Sequence, residues 1–70
     1  KMKTKIVKMV KNPNDKSQIL IQRESETDTF IVDKNEWGLW DVSTMDISGN
    51  TWSLTSKKSK KEAIQFVELF

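Results

Sequence analysis

Apolar and polar residues alternate through most of this chain, and the alternation gives way to a longer period near residue 59. In "SQILIQRE" (residues 17–24), Ile19 and Ile21 fall on one side of an extended segment and Leu20 on the other. "TFIVD" (29–33) sets Phe30 and Val32 against Ile31. "WGLWDVS" (37–43) sets Trp40 and Val42 against Trp37 and Leu39. "TWSLTS" (51–56) puts Trp52 and Leu54 on one face. "KMKTKIVKMVK" (1–11) also admits a helical stripe through Met2, Ile6, Val7, Met9 and Val10. Its β-branched Thr4, Ile6, Val7 and Val10, and the "NPND" turn at 12–15, favour a strand. Residues 44–47 leave open an extension of the fourth strand through a bulge. "SGN" (48–50) reads as a hairpin turn, with Gly49-Asn50 supplying positive φ. Gly38 reads as a packing position beside Trp37.

From Ser59 the period changes. Ser59 and Glu62 make the S-x-x-E capping pattern that satisfies two otherwise free backbone donors. Beyond it, Ala63, Phe66, Val67 and Phe70 line one face at helical spacing, with Ile64 beside them. The predicted order is β-β-β-β-β-α. Short links imply an antiparallel β-meander of four to five strands with one C-terminal helix packed on one face, an α+β fold in a single small domain over 1–70. The covered face is expected to hold Ile19, Ile21, Phe30, Val32, Trp40, Val42, Trp52 and Leu54.

Length and composition narrow the function classes. Seventy residues support only a small core. Cysteine and histidine are absent, which excludes disulfides and leaves carboxylates alone for a metal, so no metal and no cofactor are expected. The commonest catalytic base and thiol are missing with them. Asp28, Asp33, Glu36, Asp41 and Asp46 lie on turns or alternate with apolar residues, as solvated edges do. No Gly-rich loop follows a strand to cradle a phosphate. No apolar run approaches the roughly 18 residues of a membrane span, and residues 1–11 lack the apolar core of a signal peptide. The expectation is a cytoplasmic protein that is not an enzyme and contacts no membrane. Eleven of twelve basic residues are lysine, and alanine and proline occur once each, a usage typical of AT-rich genomes and suggesting a low-GC bacterium or its phage.

Charge is segregated. Residues 1–23 hold seven basic and one acidic residue (net +6), 24–56 one basic and seven acidic (net −6), and 57–70 four basic and two acidic (net +2). Pairing of the basic strand with the acidic middle inside one fold explains this, and so do two separate faces, one suited to a polyanion. The densest lysines, Lys57, Lys58, Lys60 and Lys61, surround the helix start, where the macrodipole disfavours them by a few tenths of a kcal/mol each when exposed. A phosphate there would reverse the sign. Exposed lysine in a lysine-rich chain needs no purpose, and lysine on an edge strand protects against edge-to-edge pairing. In strand parity Lys1, Lys3, Lys5 and Lys11 form one basic row, with Lys8 on the other side.

Two binding readings follow. In the first the chain is a nucleic-acid-binding module: Lys3, Lys5, Lys8, Lys57, Lys58, Lys60 and Lys61 contact phosphates and Trp37 stacks on a base. Whether "KKSKK" is half of an anion site depends on whether strand one lies beside it. In the second it is a protein-protein interaction module, such as a phage-encoded inhibitor or accessory subunit. Its contact is the acidic middle or an open sheet face of Leu20, Ile31, Trp37 and Leu39, which a partner or a second copy in a homodimer would cover.

Overall fold

A computed structural model describes residues 3–70. Five strands, β1 (Ile6–Asn12), β2 (Asp15–Arg23), β3 (Thr29–Lys34), β4 (Trp40–Met45) and β5 (Thr51–Lys57), form one antiparallel sheet in the order β1-β2-β3-β4-β5. The helix α1 (Lys60–Leu69) packs on one face. The α+β meander predicted from alternation and short links is therefore the fold.

Three of the links are built on Asn or Asp side chains. Between β1 and β2, the Asn12 Oδ1 accepts from the Asn14 N–H at 3.0 Å, and Pro13 occupies the tip. Between β3 and β4, the Asn35 N–H donates to the Leu39 carbonyl and the Gly38 N–H to the Asn35 carbonyl. The Asn35 Oδ1 accepts from the N–H groups of Trp37 and Leu39. Between β4 and β5 the same device returns eleven residues later. The Asp46 N–H donates to the Asn50 carbonyl, the Gly49 N–H donates to the Asp46 carbonyl, and the Asp46 Oδ1 accepts from Ser48 and Asn50. Gly38 and Gly49 sit at φ +81° and +89°, where a side chain is strained, so each closes its three-residue loop as a left-handed bulge residue. A Cβ on Gly38 would meet nothing within 4 Å. It is a turn glycine, which corrects the packing role expected for it.

That turn also moves the start of β4. The strand begins at Trp40, three residues later than the alternation of "WGLW" implied, so Trp37 and Leu39 belong to the turn. β1 differs as well. It starts at Ile6, and a register shift between Ile6 and Lys8 breaks its alternation. Lys3 and Lys5 precede the strand. Lys8 pairs with Gln22 on the open face, while Lys11 pairs with Ile19 on the helix side, so the described lysines do not form one row. Lys1 and Met2 lie outside the described residues.

The core lies between the sheet and α1. Ile19, Ile21, Phe30, Val32, Val42, Ala63 and Val67 are buried, with Ile6, Trp40, Leu54, Ile64 and Phe66 packed around them. Seven of the eight residues expected on the covered face are in this set. The eighth, Trp52, lies in the row of Phe30 and Thr44 and so points to the helix side, but it is 53% exposed. The path of the helix explains this. Ser59 caps it two residues after β5, its Oγ accepting from the Glu62 N–H at 3.1 Å. Its last turn is tied to the other side of the sheet, where Arg23 of β2 donates to the Val67 carbonyl and the Thr4 N–H to the Glu68 carbonyl. The helix thus crosses diagonally and leaves the Thr51 end of β5 uncovered.

Arg23 is the one buried charged residue among those described. Its Nη1 reaches the Val67 carbonyl at 2.9 Å, its Nε and Nη2 pair with the two oxygens of Glu26, and its guanidinium lies 4.6 Å from the Phe30 ring centroid. A planar fork with five donors can serve all three partners at once, which an ammonium cannot.

Candidate functional site

The lysines expected to meet a polyanion occupy three places. Lys8 is on the open face of β1. Lys3 lies at the C-terminal end of α1, its Nζ 3.9 Å from Glu68. Lys5 is nearby in chain, its carbonyl accepting from the Glu24 N–H. Lys57, Lys58, Lys60 and Lys61 surround the start of α1. The ten-residue helix puts about 15 Å between its ends. β1 and β5 are the two outer strands, four interstrand spacings apart, or about 19 Å. Strand one therefore does not lie beside "KKSKK". Within that cluster Lys57 faces the helix, its Nζ 5.4 Å from the Phe66 ring centroid, while Lys58, Lys60 and Lys61 are exposed.

The open face carries no aromatic side chain among the described residues. Trp40 and Trp52 lie on the helix side with Phe30, Phe66 and Phe70, and Trp37 projects from the β3–β4 turn, 77% exposed. The row Val10, Leu20, Ile31 crosses β1 to β3 and ends in Ser43 and Ser53. A polar row lies next to it. Asn12 donates to Gln18 and Gln18 to Asp33, at 3.0 and 3.2 Å. Across the strand pair from Asp33 stands Asp41, which accepts from Asn35 Nδ2 and Ser56 Oγ. Like charges directly opposite are unfavourable, and the donors on either side offset this. The pair puts negative charge in the middle of the open face and separates Leu20 and Ile31 from Trp37 and Leu39. The four residues proposed as one contact are thus two separate features. Among the described residues no three carboxylates converge to hold a metal.

A concave surface lies elsewhere, on the helix side. A groove of about 670 Å³ runs along α1 and is lined by Lys57, Glu62, Gln65, Phe66, Leu69 and Phe70. Phe66 and Phe70 stack at 5.4 Å between centroids, and Phe70 meets Phe30 edge-on at 6.1 Å. Leu69 and Phe70 are each nearly half exposed. Lys57 supplies a cation at one end of the groove. On the same face of the sheet, Trp52 stands two strands from Phe30 in one row, about 10 Å away. Alternation put Trp52 on the covered sheet face, and helical spacing put Phe66 and Phe70 on the stripe that packs against it. That they stay partly open follows from the diagonal path of the helix, which no local pattern records.

The two outer strands differ in chemistry. β1 carries Lys8 and Lys11 and two register irregularities, the usual devices that stop an edge from pairing. β5 carries no charge and no proline from Thr51 to Ser56, and one irregularity at Leu54 between its pairings with Val42 and Ser43.

The Asp46 carboxyl is displaced from its ordinary value. The Asn50 backbone N–H holds the Asp46 carboxyl below 3.8, with the Asn50 side chain and the N–H groups of Ser48 and Gly49 acting in the same direction. Its place is the β4–β5 turn, and its partners are those of a turn.

No family model, no curated protein and no solved structure matches this chain.

Proposed function

We propose that this chain is a non-catalytic protein-interaction module, with its contact surface on the helix side of the sheet along β5 and α1. The observation that carries this reading is the groove lined by Phe66, Leu69 and Phe70 beside the half-exposed Trp52. Large aromatic side chains held partly in water, next to a concave surface, are the residues that dominate binding energies at protein interfaces. The location differs from the Leu20/Ile31/Trp37/Leu39 face expected from parity, because Asp33 and Asp41 divide that face.

A second reading rests on Lys58, Lys60 and Lys61, which are exposed together at the start of α1. They suit a short polyanion contact. Their distance from Lys8, and the absence of an aromatic on the open face among the described residues, leave this contact small.

Selection of a displayed random-peptide library against the protein separates the two. A Trp52→Ser, Leu69→Ser variant serves as counter-target. Both positions are exposed, so the variant is expected to keep its circular dichroism spectrum. The proposal expects peptides enriched on the wild type and rejected by the variant. No enrichment, together with binding to a single- or double-stranded oligonucleotide that weakens by about one log unit per log unit of salt for each phosphate neutralised, would replace it with the polyanion reading.

A further inference from the structure

The free edge of β5 and the groove beside it lie together, and each supplies what the other lacks. β5 has no neighbour on its outer side among the described residues, so its outward N–H and C=O groups are open to another strand. Edges of this kind are usually blunted by lysine, proline or bulges, as β1 is. From Thr51 to Ser56, β5 carries no charge and no proline, Thr51, Trp52 and Thr55 favour extended backbone, and the irregularity at Leu54 is the one such device in that run. The irregularity at Leu54 limits regular pairing to short runs at 51–53 and 55–57. The second run ends at Lys57, which lines the groove.

We infer that β5 and α1 form a cleft for an extended segment of a partner protein, which pairs with β5 as a sixth strand. The inference rests on the protein-interaction reading and specifies its occupant. In an added strand successive side chains point to opposite faces, so every second residue of the segment is directed to the helix side. Those residues meet the Phe66, Leu69 and Phe70 wall and must be apolar. At the other end of the groove stands the Lys57 ammonium, with Lys58 next in the chain. The matching segment carries a carboxylate there, as an Asp or Glu side chain or as its own C-terminus. A segment of five or six residues spans about 17–20 Å, enough to cover both runs of the edge. Lys57 and Lys58 favour an acidic group at that end of the segment, while Glu62, which also lines the groove, disfavours a second acid beside α1.

Peptides enriched on the wild type, made synthetically, test this. Replacing alternate amides by N-methyl groups removes the donors that face β5 without changing the side chains. The set that faces β5 is expected to weaken binding about tenfold for each hydrogen bond lost, and the set that faces away to leave it nearly unchanged. Bound peptide should slow hydrogen exchange at the amides of 51–57. Lys57→Gln should weaken acidic peptides by about threefold to tenfold and leave their amide-neutralised versions unaffected. Peptides that bind, yet tolerate both N-methyl sets and leave the β5 amides unprotected, overturn strand addition while leaving the interaction reading in place. Failure to enrich any peptide overturns both. Sedimentation that shows a dimer abolished by N-terminal and internal changes in β5 alone, with no peptide competing, assigns the cleft to a second copy of the chain and overturns the partner segment.

Discussion

Arg23→Leu is expected to remove about 3 kcal/mol of stability. The guanidinium makes three separable contributions. Its bond to the Val67 carbonyl is charged and buried, and the carbonyl has its donor removed with nothing to replace it, a loss of about 1.5–3 kcal/mol. Its pair with Glu26 is worth less, about 0.5–1 kcal/mol, because a third of the Glu26 side chain remains in water. Its position over Phe30 adds about 1 kcal/mol. Leucine recovers part of the packing of the aliphatic stem, which keeps the total near 3. Against a total stability of about 4–10 kcal/mol for a chain of this length, that is a large fraction. The midpoint of thermal unfolding should fall by about 12–24 °C, read by calorimetry or circular dichroism. Arg23→Lys should recover only part of the loss, because an ammonium cannot reach Val67 and both Glu26 oxygens together. A Leu variant within about 1 kcal/mol of wild type, or a Lys variant equal to it, would show that the three-way tie between β2, the 23–26 turn and α1 does not stabilise the fold as argued.

Three further outcomes follow from the turns and the exposed aromatics. Gly38→Ala and Gly49→Ala should each cost about 1 kcal/mol in urea unfolding, from backbone strain at positive φ alone, since neither new methyl group meets a neighbour. Trp37→Ala should change stability by less than about 0.5 kcal/mol, which a cooperative melt at the wild-type temperature would show. The depressed Asp46 carboxyl stabilises the fold when ionised, so this contribution is complete above the ordinary carboxylate value of 3.8 and is lost as pH falls through the lower folded value. Asp46→Asn should flatten the acid limb of a pH titration of stability, and an unchanged limb would refute the assignment.

The elements were legible because each rests on a local signal. Alternation marks β2, β3 and β5, the Ser59/Glu62 spacing marks the start of α1, and short links dictate a meander. The meander alone already places strands one and five at opposite edges, so the separation of the two lysine groups was implicit in the order of elements. The start of β4 was misjudged because "WGLW" alternates as a strand does. The spacing of Asn35 to Gly38, repeated at Asp46 to Gly49, was the signal that it is a turn. Arg23 was missed because a basic residue at the end of a strand looks like any other. Its only mark is that it is the single arginine among twelve basic residues. Trp52 was assigned to the correct face, but its exposure depends on where the last turn of α1 lands, and that is decided by Arg23 and Thr4 from the far end of the chain.

Those two anchors also bear on the order of assembly. Each strand pairs with its sequence neighbour, so the sheet can grow from turn to turn with little loop entropy to overcome at any step. The ties from Arg23 to Val67 and from Thr4 to Glu68 span 44 and 64 residues, and both are made by the same helical turn. Such distant contacts are expected to form after the transition state, acting as a latch that governs how slowly the chain comes apart. Stopped-flow measurements on Arg23→Leu would then show faster unfolding with a nearly unchanged folding rate, and slowed folding would place the helix end in the nucleus instead.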